Sequence, residues 1–92
     1  MEYSGNQQRV RFWEDYIIFR DGSYLYVDRL GAQHAITREE ARKKEREFQA
    51  YQANMDVNRG GMDWDAAHAS RGFTRNAGGA WEYVNYRVDL LK

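Results

Sequence analysis

The chain has 92 residues, equal numbers of acidic and basic residues, and no cysteine. This length predicts a single domain with a thin core. The lack of cysteine excludes disulfide bonds, thiolate metal sites and a cysteine nucleophile, and it favours a reducing, cytoplasmic compartment. A net charge of zero argues against unspecific nucleic-acid binding, and no apolar run approaches the ~18 residues of a membrane span.

Aromatic residues dominate the apolar content. The 14 Phe, Trp and Tyr residues outnumber the 12 Leu, Ile and Val residues. Because each aromatic side chain buries ~150–250 Å², a few of them can form a small core. Two interpretations follow: a half-aromatic core, or surplus aromatic residues on a binding surface.

The N-terminal half predicts strands. Residues 1–8 are polar and predict a flexible tail, and Val10–Trp13 is a short strand candidate. Tyr16–Arg20 and Ser23–Asp28 are strand candidates separated by Asp21-Gly22. An Asp-Gly pair between apolar runs is the strongest local signal for a β-hairpin.

Both faces of this predicted hairpin are apolar. A two-residue loop fixes the register, and alternation then sorts the side chains onto two faces. The aliphatic face carries Tyr16, Ile18, Leu25 and Val27, and the aromatic face carries Ile17, Phe19, Tyr24 and Tyr26. A small domain usually buries one sheet face, so the second face is a candidate binding surface.

Residues 29–36 predict a linker, and a long helix follows it. Thr37 and Glu40 have the spacing of a capping box, which predicts a helix from Thr37 to about Asn54. Its predicted apolar stripe is Ala41, Phe48, Tyr51 and Met55. The stripe is narrow, so we expect this helix to cover one face of a small sheet and little more.

The C-terminal third predicts a short helix and a strand. Asp63 is a candidate cap for a helix over Trp64–Arg71, which Gly72 ends. Apolar residues at the even positions of 80–91 predict a final strand.

The predicted fold class is therefore α+β. We expect a small antiparallel sheet of three to four strands, one long helix packed on one face and a short second helix, in the order β–β–β–α–α–β. The aliphatic face is predicted to meet the helix. The aromatic face is then left for a partner, a second copy of the chain, or the 56–79 segment.

No catalytic signature is present. The chain has two histidines, no nucleophile-elbow serine and no phosphate-binding loop. Asp63, Asp65 and His68 have a spacing that a divalent metal site permits, but a capping aspartate and an exposed histidine explain the same residues. We expect no enzymatic activity, no cofactor and no metal site.

The leading hypothesis is a protein-binding domain. Tyr and Arg are enriched at the hot spots of protein interfaces. The predicted partner-binding residues are Phe19, Arg20, Tyr24 and Tyr26 on the aromatic face, with a helical ridge of Arg38, Arg42 and Arg46. The expected partner is a larger protein or ribonucleoprotein complex, and homodimerisation through the open face is a further possibility.

The alternative is a nucleic-acid-binding module. Aromatic sheet faces with neighbouring arginines stack unpaired bases. Arg59, Arg71 and Arg75 lie in a glycine-punctuated segment and are the candidate nucleic-acid contacts in this interpretation.

In size and composition, though not in any motif, the chain resembles inhibitors from phages and mobile elements. Such inhibitors, including anti-CRISPR proteins, are commonly small, cysteine-free and aromatic-rich single domains without catalytic residues. The resemblance implies an inhibitor that blocks a surface of a host defence complex.

Overall fold

The computed structural model describes residues 9–92. The predicted flexible tail, residues 1–8, lies outside the described residues. The described chain forms two compact units: a first unit of residues 9–45 and 87–92, and a second unit of residues 46–86.

The first unit is built on a four-stranded antiparallel sheet in the order β1-β2-β3-β4. Its strands are β1 Val10–Phe12, β2 Asp15–Arg20, β3 Ser23–Val27 and β4 Gln33–Ile36. A long helix, α1, covers Arg38–Asn58, and a short helix, α2, covers Trp64–Ser70. The predicted α+β class is confirmed, although the observed order is β–β–β–β–α–α–β–β.

The central hairpin matches the sequence prediction. Tyr16 pairs with Val27 and Arg20 pairs with Ser23, which is the register that a two-residue loop imposes. Asp21 and Gly22 have φ angles of 53° and 81°. Positive φ at both central residues is typical of the type I′ turn, whose twist matches that of the flanking strands.

Strand β4 was not predicted, because it lies inside the predicted linker. Its residues Gln33, His34 and Ala35 are exposed, and only Ile36 is half-buried. An edge strand of this kind is held by its backbone pairing with β3, in which Tyr24 lies opposite Ile36. Its sequence therefore lacks the alternation of apolar and polar residues that predicts a strand.

The capping box at the start of α1 is confirmed. The Thr37 hydroxyl oxygen accepts from the Glu40 amide (3.0 Å), and the Glu40 carboxylate accepts from the Thr37 amide (2.8 Å). The hydrogen bond from the Thr37 amide lowers the pKa of Glu40. The helix ends at Asn58, one turn beyond the predicted end.

The buried stripe of α1 differs from the predicted one. The stripe consists of Ala41, Glu45, Gln49 and Ala53, while Tyr51 is half exposed. Polar side chains occupy this stripe because they have hydrogen-bond partners: Glu45 accepts from backbone amides and Gln49 accepts from Arg71. The prediction from hydrophobicity is therefore correct for Ala41 and wrong for Tyr51, and it does not include Gln49 and Ala53.

The second unit contains the rest of α1, helix α2 and a two-stranded hairpin. The hairpin pairs β5, Phe73–Arg75, with β6, Trp81–Tyr83. As predicted, Asp63 caps α2 by accepting from the backbone amides of Asp65 and Ala66. The buried residues of α2 and the hairpin are Ala67, His68, Phe73 and Tyr83.

The predicted final strand over 80–91 is correct only for its first part, where Trp81–Tyr83 forms β6. The strand ends at Tyr83, and Arg87–Leu90 forms a 3₁₀-helix that belongs to the first unit. Val88 and Leu91 are buried and three residues apart, the spacing of one 3₁₀ turn. The apolar residues at even positions resembled a strand only because the segment is short.

The predicted assignment of the two hairpin faces is also wrong. The Tyr24 hydroxyl donates to the Val88 carbonyl oxygen (3.0 Å), and the Lys44 ammonium lies 4.5 Å from the centre of the Tyr26 ring. The aromatic face is thus the one that meets α1 and the 3₁₀-helix. On the aliphatic face, Ile18 and Val27 are buried as well, so the centre of neither face is open.

Polar contacts anchor residues 87–92, called here the C-terminal segment. The fully buried Glu45 carboxylate accepts from the backbone amides of Arg87 (2.9 Å) and Val88 (3.0 Å). Arg42 makes two hydrogen bonds to the Asp89 carboxylate (3.0 and 2.6 Å). These bonds, with a smaller contribution from Arg38, lower the pKa of Asp89.

Candidate partner-binding site

Two loops meet at one end of the first unit's sheet. The first is the turn between β1 and β2, formed by Trp13 and Glu14. The second is the β3–β4 loop, Asp28–Ala32. Each of the strands β1, β2 and β3 pairs antiparallel with the next, with Phe12 opposite Asp15 and Tyr16 opposite Val27. The start of β2 therefore lies beside the end of β3, and the two loops lie at the same end of the sheet.

Trp13 occupies an unfavourable backbone position in the first of these turns. Its φ angle is 58°, and its side chain is 62% exposed. Two-residue hairpin turns favour Gly, Asn or Asp at positions of positive φ, because a Cβ atom crowds the backbone there. A bulky residue at such a position is a backbone outlier, and backbone outliers cluster at functional sites.

The second loop is ordered around Asp28. One Asp28 carboxylate oxygen accepts from the backbone amides of Leu30 (2.9 Å) and Ala32 (3.0 Å), and the other lies 3.3 Å from His34 Nε2. The hydrogen bond from Ala32 is the main reason why the pKa of Asp28 lies below its ordinary value. Gly31 supplies the positive φ of 87° that closes the loop. This loop presents Leu30 with 86% of its surface exposed.

An open groove of about 350 Å³ joins the two loops. Its lining residues are Phe12, Trp13, Glu14, Asp15, Asp28, Arg29 and Leu30. Phe12 is buried, whereas Trp13 and Leu30 project outward. We call Trp13 and Leu30 the apolar tip, and the cavity the tip groove.

Beneath the groove, Asp15 accepts a hydrogen bond from the Tyr26 hydroxyl. Burial, followed by this hydrogen bond and the negative charge of Asp15, raises the pKa of Tyr26 to about 12. The Tyr26 ring stacks against Phe12, with centroids 6.4 Å apart. The floor of the groove is thus tied to the core of the first unit.

The raised pKa of Tyr26 predicts a loss of stability at high pH. Above the ordinary tyrosine pKa of 10.0, the unfolded chain ionises at this residue while the folded chain does not, so stability falls as the pH rises from 10 towards 12. Tyr26→Phe should remove this part of the alkaline destabilisation. Urea unfolding at a series of alkaline pH values measures it, and identical pH profiles for the variant and the wild type would contradict it.

The structure gives the predicted aromatic-face residues internal contacts. Phe19 and Tyr24 pack edge to face, 4.9 Å apart, and both are half-buried. The hydroxyls of Tyr24 and Tyr26 donate to Val88 and Asp15. These contacts replace the open aromatic face that the sequence predicted, and the binding role of these residues stays a prediction.

The arginines predicted to bind a partner differ in their contacts. Arg38 and Arg42 both bond Asp89, while Arg46, in the second unit, donates to the Tyr86 hydroxyl (3.2 Å). Arg20, beside the Asp21-Gly22 turn, is exposed. The predicted ridge therefore contributes to internal structure.

The candidate nucleic-acid contacts divide in the same way. Arg71 pairs with Asp56 (2.8 Å), which lowers the pKa of that carboxyl, and Arg75 pairs with Asp65 (2.8 Å). Arg59 is exposed beyond the end of α1. Four arginines and five acidic residues give the second unit a net charge of −1. This unit therefore lacks the overall positive charge that is typical of nucleic-acid-binding domains, and the nucleic-acid-binding role of these arginines stays a prediction.

An aromatic cluster fills the second unit. His68 is buried, contrary to the exposed position that the sequence predicted, and it stacks on Trp81 with ring centroids 5.1 Å apart. His68 also contacts the Trp64 ring, with centroids 4.4 Å apart, and its Nδ1 lies 2.9 Å from the Trp64 carbonyl oxygen. His68 is thus a packed core residue in this unit.

The sequence does not predict the apolar tip. Trp13 ends a strand candidate and Leu30 lies in the predicted linker. The strand candidates Val10–Trp13 and Tyr16–Arg20 are separated by Glu14 and Asp15, which predicts a turn one residue later than the observed Trp13-Glu14 turn. The exposure of Leu30 had no sequence signal, because it follows from the Asp28-centred loop.

Comparison with family models, with curated proteins and with solved structures found no match. Within residues 9–92, no helix has the length and apolar character needed to cross a membrane.

Proposed function

We propose that this chain is a non-enzymatic protein-binding domain that docks through the apolar tip. The observation that carries the proposal is that Trp13 and Leu30, 62% and 86% exposed, line the same groove. Exposed apolar side chains that share a concave surface with polar residues are typical of interfaces, and Trp is enriched at their hot spots.

The backbone at Trp13 supports the same proposal. A Gly or Asn at this turn position would adopt a φ of 58° with less strain. The Trp side chain is mostly exposed, so its contribution to the core is small. A strained position that holds a large exposed side chain fits a residue kept for binding.

The proposed mode of action is occlusion. A tip at the end of a rigid sheet inserts into a recess of a larger protein and thereby blocks it. This mode is the one expected for an inhibitor of the phage or mobile-element type, which the size and composition of the chain resemble. The partner is then a larger protein or ribonucleoprotein complex.

Capture from a lysate of the host-type cell tests the proposal. The baits are the tagged wild type, the double variant Trp13→Ala/Leu30→Ala and the matched control Leu90→Ala, and each is used with and without nuclease. Leu90 is a suitable control because it is 69% exposed, lies in the first unit and does not line the groove. We expect the wild type and the control to retain one partner that the double variant loses.

Two outcomes would contradict the proposal. Equal capture by the double variant and the wild type would show that the apolar tip is not the binding surface. Capture that depends on the tip but disappears with nuclease would show that nucleic acid is the ligand or the bridge.

A further inference from the structure

The rim of the tip groove carries an excess of negative charge. Three carboxylates, Glu14, Asp15 and Asp28, line it together with one cation, Arg29. The described residues of the lining therefore carry a net charge of −2. Asp28 is ionised at neutral pH, as an aspartate with an ordinary pKa would also be, and its hydrogen bond from Ala32 lowers its pKa further.

The three carboxylates differ in what they can offer a partner. Asp28 is engaged by loop amides, and Asp15 accepts from Tyr26. Glu14 is exposed, lies next to Trp13 in the turn, and makes no hydrogen bond or ion pair with residues 9–92. Glu14 is thus the group available for direct pairing, while the other two add to the negative potential of the groove.

The positive group that pairs with these carboxylates is not expected to be a bound metal ion, because the carboxylates lie too far apart. Across the part of the chain that the structure describes, no three acidic or histidine side chains lie close enough together to hold a metal ion. Separate negative charges around an apolar groove suit positive groups that are spaced along a chain. A protein segment with basic side chains beside apolar ones has this arrangement.

We propose that the occupant of the tip groove is a basic–apolar segment of the partner protein. An apolar side chain of that segment packs between Trp13 and Leu30, and a neighbouring Lys or Arg pairs with Glu14. This inference rests on the proposed function, because it specifies what the apolar tip binds.

A random-sequence peptide library displayed on phage tests the inference. The library is selected on the immobilised full chain after depletion on the Trp13→Ala/Leu30→Ala variant, so that only peptides dependent on the tip are kept. We expect the selected peptides to be enriched in Lys or Arg next to apolar residues. Selected peptides with an acidic bias, or with no charge bias, would overturn the inference but leave the proposed function standing.

Charge variants of the groove then test the proposed pairing between Glu14 and a basic residue, with the selected peptide that binds most tightly as the ligand. Glu14→Gln should weaken binding about threefold, as expected for one exposed ion pair, and the effect should shrink at high salt. Arg29→Gln should tighten binding by a similar factor, because it removes a like charge. Unchanged affinity in both variants would overturn the inference.

If the library yields no peptide that depends on the tip, the proposal of a basic–apolar segment fails. The lysate capture then shows separately whether the proposed function fails with it.

Discussion

Replacing Glu45 by Ala is expected to lower the free energy of unfolding by about 3 kcal/mol. The substitution leaves the amides of Arg87 and Val88 without their acceptor, and each buried unsatisfied group costs about 1–3 kcal/mol. It also removes a favourable negative charge at the start of the 3₁₀-helix. Because small domains have about 5–15 kcal/mol of stability, this is a large fraction. Urea unfolding measures the change.

A matched control separates the loss of these hydrogen bonds from the loss of a negative charge on α1. Glu47 lies on the same helix but is exposed, so Glu47→Ala should change the free energy of unfolding by less than about 0.5 kcal/mol. Hydrogen exchange adds a local readout: Glu45→Ala should accelerate exchange at the amides of Arg87 and Val88. An unchanged urea midpoint together with unchanged exchange would show that Glu45 does not anchor the C-terminal segment.

Replacing Trp13 by Gly is expected to weaken binding about a hundredfold without destabilising the fold. Relief of the positive φ should add up to about 1 kcal/mol of stability, offset in part by the loss of the indole contacts. Loss of an interface Trp commonly weakens binding about a hundredfold. Thermal unfolding and binding to the captured partner are measured on the same preparations.

Two further substitutions of Trp13 separate the effect of the positive φ from the effect of the aromatic side chain. Trp13→Asn tolerates positive φ and should match the Gly variant in both measurements. Trp13→Phe keeps an aromatic ring and should retain part of the affinity. If Trp13→Gly instead unfolds several degrees lower than the wild type, Trp13 is a packing residue and the strain argument fails.

Local signals in the sequence predicted local structure well. Asp21-Gly22 fixed the turn and the register of the β2–β3 hairpin, and Thr37 with Glu40 fixed the start of α1. Each of these signals acts within a few residues, so the sequence contains everything that the element needs. The α+β class followed from these elements.

Non-local contacts could not be predicted in the same way. The choice between two apolar hairpin faces depends on where Val88 and Lys44 pack, far along the chain. The burial of Glu45 and Gln49 depends on partners that are more than 20 residues away. Hydrophobicity ranks these polar residues as exposed, although satisfied hydrogen bonds permit their burial.

The candidate site escaped prediction for a related reason. Trp13 and Leu30 are separated in sequence, and only the antiparallel pairing of β1, β2 and β3 brings their loops to one end of the sheet. A search for exposed apolar residues works on a structure, where exposure is measured. In the sequence, both residues looked like ordinary members of a strand and a linker.

Site-specific photocrosslinking tests most directly whether the apolar tip contacts the partner. A benzophenone amino acid is placed at position 30 in one protein and at position 90 in another, since both leucines are exposed parts of the first unit. We expect illumination to crosslink the captured partner to position 30 and not to position 90. Crosslinking at position 90 alone, or equally at both positions, would contradict it.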